Sequence, residues 1–299
     1  MNKIFLHIGR ILSATIILAI IWIISLQIAN VIVPSQLDSA EVPEVTFFIK
    51  FLLVCFIHIL ILYITIQKSS WVGLRLSVVI FILIFVIQYF LSMIEAVWFN
   101  ESLNMPASGI QSILISGLIL SFIFSPIIVL ISGKFRRRNH EQDWASSSLK
   151  VRDLIWKSAI LTIVIYPSLY FLAGYFIAWQ SEAVRMFYTG STEMNTFGSI
   201  MIDNFKSGLY GFQILRGLIW IGLAIPLYVM IKGLYWQKGI LIGLLFALLM
   251  NVQHLLPNPY FPDEVSKIHF IETVSSNFIW GFVIVWFFHW TPLKKRIET

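Results

Sequence analysis

The sequence predicts an all-α, polytopic integral membrane protein with about eight transmembrane helices and both termini in the cytoplasm. Of its 299 residues, 58% are hydrophobic and only 12% are charged, and the mean hydropathy is +0.85. A soluble domain contains roughly 25% charged residues, so this chain has too little polar surface to cover a water-soluble globule. The same composition excludes a disordered chain and a fibrous one.

Eight apolar stretches are long enough to cross a hydrocarbon core, which takes about 20 helical residues. We predict them at residues 11–33, 45–67, 76–98, 110–132, 154–179, 208–231, 239–256 and 271–290. Lys3 and Arg10 precede the first stretch, as in a signal peptide. Its apolar run is longer than the roughly 7–15 residues of a signal h-region, and no A-x-A site follows it. We therefore expect it to be retained as the first span.

The basic residues lie mainly in alternate loops. Sixteen of the 21 lysines and arginines precede the first span or lie in the 68–75 turn, the 133–157 segment, the 232–238 turn or the tail after residue 290. The other loops hold most of the acidic residues. The positive-inside rule therefore predicts that both termini are cytoplasmic, which agrees with an even number of spans. We expect the protein to lie in the cytoplasmic (inner) membrane of a bacterium.

A basic and serine-rich segment, residues 134–153, divides the chain. It predicts a cytoplasmic linker between a first half with four spans (1–133) and a second half with four spans (154–299), which holds most of the candidate site. Its run Lys134-Phe-Arg-Arg-Arg138 is of a kind that binds nucleic acid or acidic lipid headgroups. A topology determinant beside the fourth span is the simpler interpretation, so we expect membrane lipid and no nucleic acid as a partner.

Polar side chains at membrane depth are concentrated in the predicted outer half of the spans. They are Gln88, Ser92 and Glu95 on the third span, Gln213 and Arg216 on the sixth, Asn251 and His254 on the seventh, and His269, Glu272, Ser276 and Asn277 on the eighth. Each residue alone is explained by helix packing, as part of an ion pair or an interhelical hydrogen bond. Their restriction to one leaflet favours a polar site that opens outward, because packing contacts have no reason to avoid the other leaflet.

Arg216 and Glu95 are predicted to form an ion pair. They lie at comparable depth on different spans, and a single guanidinium in the membrane needs a counter-ion. Glu272 is the competing partner. Together with Gln213, Asn251 and Arg185, which follows the fifth span, this pair is expected to bind substrate or to stabilise the site.

His254, His269 and Glu272 are predicted to converge, with Glu182 or Arg185 closing over them. The connection between the last two spans has only about 14 residues and three prolines, so the polar stripes of these spans begin at similar depth. Two histidines, a carboxylate and a water form a common catalytic zinc site. A His/Glu pair one helical turn apart also forms a hydrogen bond without a metal. The sequence therefore leaves two possibilities, a zinc site and a metal-free hydrogen-bonded pair.

The chain lacks several motifs of soluble enzymes. It contains no G-x-x-x-x-G-K-[ST], no G-x-G-x-x-G and no G-x-S-x-G, which argues against nucleotide hydrolysis and against an α/β-hydrolase. Its single cysteine, Cys55, excludes an internal disulfide and a cysteine-based metal site.

Several residues of the second half occur in a suggestive order: Glu182-x-x-Arg185, then Met250-Asn-Val-Gln-His254, then His269 and Asn277. This order resembles that of the CAAX-processing and bacteriocin-immunity intramembrane proteases, whose motifs are E-E-x-x-x-R, F-x-x-x-H and H-x-x-x-N/D. The resemblance implies that Glu182 activates a water and that His254, His269 and Asn277 support an oxyanion. In this chain Met250 replaces the phenylalanine, and His269 and Asn277 are eight residues apart.

Two classes of function are compatible with the sequence. The first is an intramembrane enzyme that performs general acid–base chemistry at the outer leaflet on a peptide or lipid-like substrate. The second is a protein that is not an enzyme, either a transporter or permease component or a non-catalytic scaffold or immunity-type protein. A transport path should present polar groups at all depths, whereas the cytoplasmic halves of these spans are almost entirely apolar, which favours the enzyme.

Overall fold

The computed structural model describes residues 3–34, 44–136 and 150–290, and this part of the chain is all-α. It contains eight helices that are long and apolar enough to span a membrane: Ile4–Ile32, Val45–Lys68, Gly73–Trp98, Ala107–Ile131, Val151–Gln180, Leu209–Met230, Tyr235–Leu255 and Asp263–His289. We number them as spans one to eight. The predicted fold class and the predicted number of spans are confirmed. Arg137, Arg138, most of the 134–153 linker, and the tail residues Lys294, Lys295 and Arg296 lie outside the described residues.

Two spans begin much earlier than the hydropathy predicts. Span one extends back to Ile4, and span eight begins at Asp263 instead of residue 271. Pro262 precedes span eight in an extended conformation, and Asp263 and Glu264 occupy its first turn, where carboxylates interact favourably with the helix dipole. The polar stretch 263–270 is therefore helical, and it extends span eight outward beyond His269.

Short helices lie between the spans at the end that we call outer, which is the end that lacks the basic loops. One of them, Glu182–Thr189, is followed by Gly190 at φ +69°. We call it the outer helix. A second short helix, Phe197–Lys206, leads into span six.

Spans seven and eight form the most extensive helix–helix contact of the described chain. A Cβ atom on Gly281 would lie 2.7 Å from the Cα atom of Gly243, and one on Gly243 would lie 2.6 Å from the carbonyl oxygen of Phe278. Glycine is required here because the two backbones touch. Gly239 and Gly243 form a G-x-x-x-G pattern, the sequence signal of such a crossing.

The two sequence halves share one hydrophobic core. Span seven packs against spans two and three of the first half as well as against span eight. The largest cluster of buried apolar residues extends from Ala14 in span one to Phe288 in span eight. The candidate site in the second half is therefore supported by helices of the first half.

Buried lysines cap helix ends at the inner side. Lys157 Nζ donates hydrogen bonds to the carbonyl oxygens of Phe288 (2.9 Å) and Trp290 (2.6 Å) at the end of span eight, and Lys238 Nζ donates to that of Tyr228 (2.9 Å) in span six. The last carbonyl groups of a helix have no partner within it, and cations there are stabilised by the helix dipole. Some of the basic residues that predict the topology thus also stabilise the bundle.

We expect the outer end to be extracellular, because the basic loops lie at the opposite end and the positive-inside rule places those in the cytoplasm. An impermeant maleimide should label Ser199→Cys, an exposed position before span six, in intact cells. Gln237→Cys, at the inner start of span seven, should be labelled only after permeabilisation. Cys55 is buried and should stay unlabelled in both. The reverse pattern for the two variants would invert the topology.

The glycine contact predicts a second outcome. Gly281→Ala should destabilise the protein by about 1–3 kcal/mol, the usual cost of overpacking, because the added methyl group meets backbone that cannot rotate away. Gly222→Ala is the matched control, since a Cβ there has no neighbour within 4 Å. Thermal unfolding in detergent should show a lower Tm for the first variant only, and equal Tm values would contradict the close crossing.

Candidate functional site

Glu95 of span three and Arg216 of span six form a bidentate ion pair in the outer half of the bundle. The distances from Arg216 Nη1 to Glu95 Oε1 and from Nη2 to Oε2 are both 2.8 Å. The predicted pairing is confirmed, and the competing carboxylate, Glu272, has another partner. Two parallel hydrogen bonds to one carboxylate make this one of the strongest ion-pair geometries available to a protein.

The directions of the two helices explain how these side chains meet. Glu95 lies three residues before the outer end of span three, and Arg216 lies seven residues after the outer start of span six. At 1.5 Å per residue their backbones differ in depth by about 6 Å. Side chains tilt toward the N-terminus of their helix, so Arg216 extends outward and Glu95 extends inward until they meet.

The ion pair is enclosed by aromatic rings and by one amide. The Arg216 guanidinium carbon lies 5.8 Å from the centre of the Tyr170 ring and 5.9 Å from that of Phe212, and Arg216 Nη1 also donates to Gln213 Oε1 at 3.2 Å. The Arg216 side chain is only 4% exposed, whereas that of Glu95 is 27% exposed. Two buried donors of this cluster, Arg216 Nε and Gln213 Nε2, have no hydrogen-bond partner among the described residues.

A second cluster joins span eight to the outer helix. His269 Nδ1 lies 2.9 Å from Glu272 Oε2, one turn along the same helix, and His269 Nε2 lies 3.0 Å from the Tyr188 hydroxyl oxygen. Glu272 is buried. The three side chains form a carboxylate–imidazole–hydroxyl chain, the arrangement by which many enzymes orient a histidine base.

The chemistry of Tyr188 determines where the protons lie in this chain. Burial raises the pKa of the Tyr188 phenol, and the negative charges of Glu95 and Glu272 raise that pKa further. The hydroxyl therefore stays protonated and is able to donate to His269 Nε2. A carboxylate oxygen only accepts, so Nδ1 of His269 donates to Glu272, and in the tautomer with its proton on Nδ1 the other nitrogen, Nε2, accepts from Tyr188.

His254 lies beside this chain, as predicted. The ring centres of His254 and His269 are 6.5 Å apart, well within the distance of about 12 Å at which the two histidines can share one site. The Ser266 hydroxyl donates to the backbone carbonyl of His254 (3.1 Å) and lies 3.3 Å from His254 Nδ1. This pattern favours a proton on Nδ1 of His254 and a lone pair on Nε2.

Span five connects the two clusters. Tyr170 contacts Arg216, and one turn further along the same helix a Cβ atom on Gly174 would lie 3.7 Å from Glu272 Oε1. The ion pair and the histidine cluster are thus neighbours along one helix. The Glu272 carboxylate thus packs directly against span five.

Arg185 and Glu182 lie in the outer helix but do not take part in this chain. Arg185 is buried, and it donates hydrogen bonds to the carbonyl oxygens of Trp179 (2.6 Å) and Thr192 (2.7 Å), which hold the loop around the outer helix. Glu182 is exposed and lies about 120° around the helix from Tyr188. Arg185 therefore influences the site only by holding the loop around the outer helix. The predicted role of Glu182, activation of a water, stays a prediction.

The predicted amides are buried in the contact between spans seven and eight. Asn251 Nδ2 donates to the carbonyl oxygen of Ala247 (2.8 Å), and Asn277 Nδ2 lies 3.5 Å from Met250 Sδ. These contacts are those of packing residues. No group of three or more His, Cys, Asp or Glu side chains within the described ranges has the geometry of a metal site, and the zinc site also stays a prediction.

Tyr188 and Ser266 are site residues that the sequence did not predict. Tyr188 lies in the outer helix, and its contact partner His269 is 81 residues away in the sequence, so no local pattern indicates the contact. Ser266 lies in the stretch expected to be a loop. Only the early start of span eight places it on the helix, one turn before His269.

No family model, no curated protein and no solved structure matches this chain. The resemblance to the CAAX-processing proteases therefore stays a prediction, and the geometry of the site is the basis for proposing a function.

The ion pair predicts a double-mutant cycle. Arg216→Leu or Glu95→Leu alone leaves a charge without its partner and should cost about 3–5 kcal/mol, whereas the double variant should lose less than the sum of the two. Thermal unfolding in detergent measures each effect. Glu101→Leu, which removes an exposed carboxylate nearby, should change the Tm little. Additive losses for Arg216→Leu and Glu95→Leu would show that the pair contributes nothing.

Proposed function

We propose that this protein is an intramembrane hydrolase-like enzyme in which His269 acts as a general base at the outer membrane leaflet, on a peptide or lipid-like substrate. The observation that supports this most is the chain Glu272–His269–Tyr188, with distances of 2.9 and 3.0 Å. A buried carboxylate that orients an imidazole and accepts from its Nδ1 raises the basicity of the other nitrogen. Helix packing alone does not require that arrangement.

The Tyr188 hydroxyl marks the position of the nucleophile. In the proposed reaction a water replaces this hydroxyl at His269 Nε2, which accepts one proton from the water. The water oxygen bonds to the substrate carbonyl carbon, the bond to the leaving group breaks, and the leaving group takes the proton from His269. His254, with its ring centre 6.5 Å away, is the second group able to bind a water or a carbonyl oxygen there.

The location of the carboxylates favours an enzyme over a transporter. Within the described spans, Asp153 lies at the inner end of span five, and Asp263 and Glu264 lie in the first turn of span eight. The two remaining carboxylates, Glu95 and Glu272, are both in the outer half. A proton or solute path across the membrane needs polar groups at every depth. A site reached from one leaflet needs them only at that leaflet.

A zinc ion at His254, His269 and Glu272 is the metal-dependent form of this proposal. A zinc ion bound to both His269 and Glu272 would have to displace Tyr188 from His269 and also compete for the Glu272 carboxylate, whereas the water displaces Tyr188 alone and leaves the Glu272 contact in place. We therefore favour the metal-free general base. A bacterial inner membrane and membrane lipid as a partner belong to the same proposal.

The test uses purified protein in vesicles of phosphatidylethanolamine and phosphatidylglycerol that also contain a palmitoylated peptide. Mass spectrometry should detect either released fatty acid or a shortened peptide. His269→Gln should lower the rate by about 10²–10⁴-fold, the usual contribution of a general base, and Glu272→Gln should lower it in the same direction. His289→Gln is the matched control, because His289 is an exposed histidine at the inner end of the same span.

Two results would contradict the proposal. One is that neither the phospholipids nor the palmitoylated peptide yields a product. The other is an equal rate for the native protein and for His269→Gln.

A further inference from the structure

Two loops at the inner end of the bundle are joined through their backbones. The turn that follows span two meets the end of span six in an antiparallel bridge between Ser69 and Ile231. Next to the bridge, the backbone N–H group of Lys232 donates to the carbonyl oxygen of Lys68 at 2.9 Å. Ser69 and Ile231 are buried, so the bridge fixes the position of the two loops relative to each other.

The bridge places two lysines side by side. A backbone hydrogen bond of this kind keeps the Cα atoms of Lys68 and Lys232 about 5–6 Å apart. Lys68 is exposed and Lys232 is partly exposed. Like charges in opposite positions of an antiparallel pair destabilise it. The arrangement therefore has a cost unless an anion lies between the two ammonium groups.

The described residues do not supply that anion. Neither Lys68 nor Lys232 forms an ion pair with a described carboxylate. Asp153, at the inner start of span five, is the one carboxylate that the described residues have at this end of the bundle, and it accepts a hydrogen bond from Trp156 Nε1 at 3.4 Å. The two lysines also differ from the buried lysines of the inner side, whose ammonium groups donate to helix carbonyls.

Neither of the two ordinary roles of an inner lysine explains the pair. The positive-inside rule depends on the number of basic residues in each loop, and it does not require lysines of two loops to lie opposite each other. The helix dipole stabilises a single cation at the end of each helix, and it gives no reason to bring two such cations together. The pairing of Lys68 with Lys232 favours a shared ligand.

The depth of the pair indicates which anion is available. Lys68 is the last residue of span two, and Lys232 follows span six by two residues. Both therefore lie at the level of the headgroups of the inner leaflet. Anionic phospholipids concentrate negative charge at this surface, and basic pockets between transmembrane helices bind their headgroups. Each ammonium group has three donors for the oxygens of a phosphate.

A third cation lies in the same turn. The Arg75 guanidinium carbon is 3.5 Å from the centre of the Trp71 ring, and the turn is held by a hydrogen bond from Trp71 N to Ser69 Oγ at 2.9 Å. Tryptophan is typical of the membrane interface. A guanidinium that stacks on a ring keeps the N–H groups at its edge for an acceptor. Arg75 is exposed and adds positive charge beside the lysine pair.

We propose that Lys68 and Lys232 bind the phosphate of one anionic phospholipid in the inner leaflet, and that this lipid joins spans two and six. The site lies at the opposite end of the bundle from His269. It therefore goes beyond the proposed function and does not depend on the protein being an enzyme.

The test measures the binding of phosphatidylglycerol to the purified full-length protein by native mass spectrometry. The double variant Lys68→Gln, Lys232→Gln should bind this lipid about 25-fold more weakly, because each lysine at an anionic surface contributes roughly fivefold to the affinity. Lys50→Gln, Lys206→Gln is the matched control. It removes the same charge from exposed lysines near the outer ends of the same two spans, and it should change the Kd less than twofold.

A second measurement protects the test against a folding defect. Phosphatidylglycerol should raise the Tm of the native protein and of the control, because a ligand that binds only the folded state stabilises it. It should raise the Tm of Lys68→Gln, Lys232→Gln much less. Each shift is measured against the Tm of the same variant without lipid, so a change in basal stability does not affect it. Lys68→Arg, Lys232→Arg keeps both charges and should keep the shift.

Three results would overturn the proposal. The first is an equal loss of binding in both glutamine double variants, which would show a general attraction between a basic protein and an anionic lipid. The second is an unchanged Kd in Lys68→Gln, Lys232→Gln. The third is a Tm shift with soluble glycerol 3-phosphate as large as that with phosphatidylglycerol, which would identify a site for a soluble phosphate instead of a lipid.

Discussion

A guanidinium inside a hydrocarbon layer has to be neutralised and hydrogen-bonded, and in this protein the Glu95–Arg216 pair meets that requirement. The pair needs a carboxylate and a guanidinium that face each other across two helices. It therefore fixes the rotation of spans three and six about their axes. With those rotations set, Phe212 and Leu215 line an apolar groove between the two spans, while Gln213 and Arg216 are buried in the bundle.

A buried charge on span eight, the Glu272 carboxylate, likewise needs a hydrogen-bond partner. Glu272 is buried, and its carboxylate is satisfied by the imidazole of His269 within its own helix. His269 in turn accepts from Tyr188 of the outer helix. Burial of one carboxylate thus organises a chain of three groups that reaches the outer surface. Both an acid–base site and a packing contact are compatible with this geometry, and the placement of His269 next to a second histidine favours the acid–base site.

Close helix packing and capped helix ends hold this site in place. Spans seven and eight touch at Gly243 and Gly281, and this close approach keeps His254 and His269 within reach of each other. At the inner end, Lys157 and Lys238 satisfy helix carbonyls that would otherwise lack a partner. The two inner lysines therefore stabilise helix ends, whereas the proposed site lies in the outer half.

The sequence by itself determined the membrane class, the eight spans and the depth of the polar groups, because hydropathy, loop charge and helical period are local properties of the chain. It also predicted the partnership of Glu95 and Arg216, since charges at equal depth in hydrocarbon have few other choices. The tertiary structure decided that Tyr188 reaches His269, that Arg185 turns to the loop carbonyls of Trp179 and Thr192, and that Ser266 contacts His254. These features depend on helix rotations and on where span eight begins, which are set by contacts between residues far apart in the chain and leave no periodic signal in it.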